Sequence, residues 1–299
     1  FQTINFDDVP DRQGDVQAAL IDKWEAANVA EGLDPLDLKN APFRLTAIVN
    51  RVDLRSASGY AAGDAGECRF VFCAYDLDTG AHKPMTVIFE YGVPLGTCVQ
   101  IKNWAQQWQQ LSGLDFVSAD PTSTFNADLE DLTDVVALAN ADPSKPNGSA
   151  INQLRSNNFI EPFTLPWTMR EWQITGAGIA PSHLTAVTTK QTPANSKIGT
   201  SDLANYLNTF EADILAGTHS VPLSFPGATA FLSGKSEVPT PGFFWNTAGI
   251  ANNEARHHFS LNTCNGCHGG EAGAQLPTVG GLPLDPATGL GATGPSSSA

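Results

Sequence analysis

A chain of 299 residues, 41% of them hydrophobic, carries enough apolar material for one large folded domain or two ordinary ones, which excludes a disordered polypeptide. With 16 basic against 31 acidic residues the formal net charge is -15, a balance that repels phosphate backbones and anionic lipid and excludes nucleic acid as a partner. No run reaches the roughly eighteen consecutive apolar residues of a membrane span, so none is expected. The first residue, Phe1, is read as the start of a mature, exported chain from which a targeting segment has been removed.

Along the chain, Asp15–Ala30 is expected to form a helix, because Val16, Leu20, Trp24 and Val29 recur at roughly helical spacing behind an acidic start. Three runs rich in β-branched and aromatic residues follow: Phe43–Leu54, Glu67–Tyr75 and Met85–Tyr91. The turn-forming stretch Asp76–Gly80 joins the last two, and together they predict an antiparallel hairpin extended by a third strand. Alternation along the middle strand places Cys68, Phe70 and Phe72 on one face and Arg69, Val71, Cys73 and Tyr75 on the other. Cys68 and Cys73 therefore point apart and do not easily bond each other. Cys98 lies just past the third strand and can return to the hairpin, so a Cys73–Cys98 disulfide is the preferred pairing.

Val99–Leu111 places Ile101, Trp104, Trp108 and Leu111 on one helical face, and Asn126–Ala141 is a second helix turning Leu129, Leu132, Val136 and Leu138 inward. Asp142–Gly148 is a loop and the one plausible mid-chain break. Two further strands are expected at Trp167–Thr175 and His183–Lys190, joining the first sheet or forming a second. Ser201–Ala216 is a helix opened by Ser201-Asp202, with Leu203, Tyr206, Leu207, Phe210 and Ile214 at helical spacing. Residues 219–249 read as loop, interrupted by Pro222, Pro226, Pro239 and Pro241. A short helix, Asn252–Leu261, leads into the last cysteines, and residues 272–299 form a Gly/Pro/Ser-rich tail, held by its own domain or by a neighbouring subunit.

The segment Cys264-Asn265-Gly266-Cys267-His268 names a chemistry. Two thiols at this spacing reach the two vinyl groups at one edge of a haem, while the adjacent imidazole swings under the iron as proximal ligand. Asn265-Gly266 keeps the interior of the loop small, and Gly269-Gly270 leaves room beside a porphyrin plane. The run Thr263–Gly269 (TCNGCHG) closely resembles the attachment signature of c-type cytochromes. That resemblance implies one covalent haem c, with Cys264 and Cys267 as the thioether residues and His268 as the proximal ligand. In an ordinary cytochrome the motif opens the domain and a distal ligand follows. Here no Met, His, Cys or Lys follows His268, so a distal ligand comes from upstream, from another chain, or is absent. Among His82, His183, His219, His257, His258, Met85 and Met169, the candidates ranked first are His258, His219 and Met169. A six-coordinate iron favours electron transfer, and a five-coordinate one permits ligand binding or peroxide chemistry.

The runs RLTAIVNRVDLR, GECRFVF, TVIFEYGVP, GFFWN and NNEARHHFSLNTCNGCHGGE resemble an uncharacterised family of exported bacterial proteins across most of residues 43–271. That resemblance implies aromatic and histidine residues soon after the Gly-Gly-Glu, whereas this chain runs into its Gly/Pro tail.

Other readings of the same residues stay open. Cys264 and Cys267 can form a small-loop disulfide, or join His257, His258 and His268 in a zinc site. The tryptophans, Trp245 among them, are packing residues before they are stacking platforms or electron relays. Asp76, Asp78 and the Asp142 loop lack the full pattern of a calcium loop. Glu67 with Glu90 is a carboxylate pair of the kind glycosidases use, but an ion partner such as Arg69 explains it as well.

The sequence thus predicts an α+β fold: a largely antiparallel sheet packed by several helices, with residues 1–249 as scaffold, 250–271 as haem-attachment segment and 272–299 as tail. The expected function is an exported monohaem c-type electron-transfer protein, periplasmic, outer-membrane-associated or extracellular. Its partners would be a redox protein or a neighbouring subunit, with assembly as a homo-oligomer or filament through the tail. The alternative is a secreted structural or surface protein whose Cys264–Cys267 pair is a disulfide or part of a zinc site.

Overall fold

The structure, a computed structural model, describes residues 17–56, 64–114, 122–160, 164–174, 184–187, 192–233, 235–238 and 245–271. Of these, the side chains of residues 19, 56, 158–160, 164–167, 184–187, 268 and 270 lie outside the description. The tail beyond residue 271 and the parts of expected elements at 15–16, 175, 183 and 188–190 also lie outside it. The fold is α+β, as the alternation of strand-like and helix-like runs predicts. Its strands pair in the order β1 (Phe43–Arg51), β2 (Glu67–Tyr75), β3 (His82–Gly92), β4 (Ile151–Ile160), β5 (Thr164–Ile174) and β6 (Leu184–Val187), with β7 (Ser236–Val238) against β5. The two strand runs after the loop thus belong to one sheet with the first three. β4, which carries little β-branched character, was not expected from the sequence.

The chain divides into two compact units, one of residues up to 156 with 172–185, the other of 157–171 with 186 onward. The loop at Asp142–Gly148 is a tight turn inside the first unit, not the break. Asp142 accepts from Ser144 N at 3.1 Å, and Asn140 and Gly148 adopt positive φ.

In the first unit, β1–β2–β3 form an antiparallel meander. Asp76 organises its turn: the carboxylate accepts from Asp78 N, Thr79 N and Thr79 Oγ1 at 3.0–3.1 Å, while Gly80, at φ 68°, donates its N–H back to the Asp76 carbonyl. Those hydrogen bonds, with Lys23 and Lys83 each 3.3 Å away, hold the Asp76 carboxyl well below the usual carboxylate range. The acidic turn is occupied by lysines.

Two helices cover one part of the meander: α2 (Cys98–Leu111) and α3 (Phe125–Ala137). Trp104, Leu111, Leu132 and Val136 are buried with Cys68 and Val93, and Ile101, Trp108 and Leu129 pack on that cluster. Each fully buried large side chain contributes about 1.5–3 kcal/mol. Leu138 is exposed, because α3 stops at Ala137 and the chain becomes extended there. The first expected helix begins as a π-helical turn at Gln17–Ile21 and continues as α1 (Asp22–Ala30). It buries Leu20 and Trp24 but leaves Val29 61% exposed at its end.

All five cysteines are thiols, and the Cys73–Cys98 disulfide is not formed. The register gives the reason. Cys73 pairs with Thr86, whereas β3 runs antiparallel and delivers the chain to Gly92, opposite Glu67, before α2 begins at Cys98. The two cysteines thus approach opposite ends of β2, separated by about 20 Å of strand at ~3.3 Å per residue, against the roughly 7 Å between Cα atoms that a disulfide spans.

The second unit has its own core, built on α4 (Ser201–Thr209), α5 (Glu211–Leu215) and α6 (Asn253–Leu261). Leu203, Tyr206, Leu207, Ile214, Phe231, Trp245, Ala255 and Phe259 are buried together. The expected single helix over Ser201–Ala216 is interrupted at Phe210, and its cap is Thr200, whose Oγ1 accepts from Leu203 N. Ala255 and Phe259 make the segment from residue 250 part of this core.

Candidate functional site

The cysteine motif follows α6 directly. Asn252 caps that helix through its side chain, and Phe259 anchors it in the core of the second unit. After Leu261 the chain turns, and Thr263 caps a short helical turn, Cys264–Gly266, which runs into a π-helical turn, Cys267–Glu271. Residues three apart on such a turn share a side, so the Cys264 and Cys267 thiols are presented together. Cys264 is 8% exposed, Cys267 is half-buried, and no disulfide joins them. The backbone of His268 lies in the π-helical turn; its side chain is outside the described residues.

A buried polar network holds this turn. Thr263 Oγ1 donates to the Ser260 carbonyl at 2.8 Å and accepts from Gly266 N at 3.0 Å and from the indole N–H of Trp245 at 2.8 Å. The same indole N–H reaches Asn265 Oδ1 at 3.2 Å. The Asn265 amide in turn donates to Asn195, whose own amide donates to the Glu237 carbonyl of β7. Trp245 is thus both core and clamp: fully buried, edge-on to Phe259 at 5.9 Å, and bonded to the motif. Gly266 is required by close approach, since a Cβ there would stand 2.5 Å from the Ser260 carbonyl oxygen and from Thr263 Oγ1. The glycine in Cys-Asn-Gly-Cys is set by this packing.

A second clasp closes the far end of the motif. Arg256, 1% exposed on α6, makes a two-pronged ion pair with Glu271, Nη1 to Oε2 at 2.9 Å and Nη2 to Oε1 at 2.8 Å. His257 Nδ1 also meets Glu271 Oε1. The five residues of the motif are therefore bracketed between Thr263, tied to Trp245, and Glu271, tied back to α6. None of Trp245, Thr263, Asn195, Arg256 or Glu271 was singled out as a site residue from the sequence. The only signal was the polar Thr263 and Asn265 beside the cysteines.

The three distal candidates fall in different environments. His258 lies exposed on α6, and Met169 is buried on β5, opposite Ser236 of β7. His219 is 6% exposed, packed 5.8 Å from the Phe259 ring, and among the described residues neither of its ring nitrogens has a hydrogen-bond partner. Burial pushes its pKa down, so the ring is neutral. An unsatisfied buried polar group costs about 1–3 kcal/mol, which marks His219 as a ring in want of a partner. Of the remaining rings, His82 is exposed and edge-on to Tyr75, His257 is committed to Glu271, and His183 lies outside the described residues.

Among the described residues no three His, Cys, Asp or Glu side chains converge as a metal cluster. Glu67 and Glu90 are fully buried and engaged by arginines: Arg69 pairs with Glu67 at 2.7 Å and Glu90 at 3.2 Å, and Arg155 meets Glu90 at 3.3 Å, beside a 2.6 Å hydrogen bond from Gln153. With no access to solvent they form an internal charge network and not a hydrolytic pair. No helix among the described residues is long and apolar enough to cross a membrane. No known family model matches the chain, and no curated protein and no solved structure is significantly similar to it.

Proposed function

We propose that this chain is an exported monohaem c-type protein acting in electron transfer, with haem held covalently at the turn after α6. Cys264 and Cys267 each add S–H across one vinyl group, sulfur to the inner carbon and hydrogen to the outer, without net oxidation; His268 ligates the iron. The observation that carries this reading is the construction of the turn. Two cysteines sit on one helical turn outside any disulfide, and the segment bearing them is braced by Trp245, Thr263 and Asn265 at one end and by the Arg256–Glu271 pair at the other. An imidazole without a hydrogen-bond partner among the described residues, His219, lies in the core on which that segment is built. The haem supplies one-electron exchange, while the chain's own residues bind it, orient it and exclude water from one side. The charge of -15 favours a cationic face on the redox partner, with salt-sensitive association.

The test is expression in cells that mature c-type cytochromes. Red protein with a reduced c-type α-band, keeping its haem through denaturing electrophoresis, is the expected result; a colourless preparation overturns the reading.

A further inference from the structure

We propose that His219 is the second axial ligand of the haem iron, opposite His268; this deepens the haem reading above and rests on it. Three observations select this ring. First, His219 is a buried side chain whose two nitrogens both lack a partner among the described residues. A packed core does not ordinarily keep a whole imidazole unsatisfied, and a metal bond satisfies one nitrogen directly.

Second, the ring sits close to the motif's own support. It packs on Phe259, Phe259 packs on Trp245, and the Trp245 indole donates to Thr263 and Asn265 on either side of Cys264. Third, its backbone is fixed. After α5 the N–H groups of Thr218 and His219 both donate to the Asp213 carbonyl, at 2.8 and 3.2 Å, and the Tyr206 hydroxyl donates to the Ser220 carbonyl at 3.2 Å. A ligand on so fixed a turn is presented without an ordering cost.

His258 is the weaker candidate because it is exposed and rides on α6 itself, and Met169 because its strand is paired with β7.

The experiment uses the holoprotein with covalent haem. The expected wild-type spectrum is low-spin and bis-histidine by near-infrared magnetic circular dichroism, with little carbon monoxide binding. His219→Ala should retain its covalent haem, become high-spin, bind carbon monoxide, and return to low spin when imidazole is added. His219→Met, which keeps the volume, should convert the wild-type signature to a histidine–methionine one. A haem-bearing wild type that is five-coordinate or histidine–methionine ligated overturns the assignment while leaving the haem reading intact. So does a His219 variant with unchanged spin state. Failure to carry haem at all overturns the parent reading itself, and needs no His219 variant to see.

Discussion

At the Glu67 end of the meander, buried Glu67, Glu90 and Arg155 lie with half-buried Arg69, and each charge faces an opposite one. In the core beneath α6, His219 is buried against the Phe259 ring and, among the described residues, has no hydrogen-bond partner at either ring nitrogen, while two cysteines outside any disulfide sit on the turn beyond Phe259. The difference teaches how a structural polar group is told from one awaiting a ligand. Burial pushes the Glu90 carboxyl up, and Arg155 and Arg69 pull it part of the way back. Among the described residues, no hydrogen bond to its ring offsets the burial of His219. The Arg256–Glu271 pair belongs to the first kind although it lies beside the second, and its role is to brace.

The comparison breaks most visibly at the compensated pairs. Glu271→Ala removes the carboxylate that pairs with the buried Arg256 guanidinium, and should cost about 3–5 kcal/mol in urea unfolding; Glu90→Ala, which removes the carboxylate that Arg69, Arg155 and Gln153 share, should also destabilise. Losses below about 1 kcal/mol would mean that the arginines find other partners and that these pairs do not brace the fold.

Gly266→Ala tests the tightness of the motif. Its Cβ must displace Thr263 or the Ser260 carbonyl, with an expected cost of about 1–3 kcal/mol; an unperturbed melting curve would contradict the close approach.

His219→Leu should behave oppositely to Glu90→Ala. In the haem-free chain, removing an unsatisfied polar group while keeping an apolar side chain should leave stability unchanged or raise it by about 1 kcal/mol. A large destabilisation in the haem-free chain would place His219 among the structural groups and remove the contrast.

The smallest effect lies in the turn of the meander. Asp76 is held below its unfolded value near 3.9, so the stability it contributes is complete above about pH 4 and is lost as pH falls toward the folded value. Asp76→Asn should flatten the acid limb of the stability curve, and an acid limb identical to wild type would show that the turn contributes nothing to it.

Where local chemistry and tertiary packing agree, the fold was legible in the sequence. Phe43–Arg51, Glu67–Tyr75 and the run ending at Gly92 carry β-branched and aromatic residues over a half-buried sheet, and Trp104, Leu111, Leu132 and Val136 mark two helix faces. β4 escaped because Gln153, Arg155 and Ser156 are polar yet buried. Their partners lie on strands far away in sequence, and no local period reveals them. The disulfide expectation failed for a related reason, since sequence proximity of Cys98 to β3 does not say which end of β2 it reaches. Within the candidate site, the cysteines and His268 stand out by spacing. The bracing by Trp245 and by Arg256–Glu271 spans 18 and 15 residues and becomes visible only once the chain has folded back on itself.

The most direct test of the account is the mass of the chain after maturation with a c-type haem system, followed by proteolysis to isolate the peptide holding Cys264 and Cys267. The account predicts that this peptide carries one intact haem through two thioether bonds, and that the haem is absent from the Cys264→Ala/Cys267→Ala variant. A haem-free peptide two hydrogens lighter than the dithiol would show a disulfide in its place and contradict it.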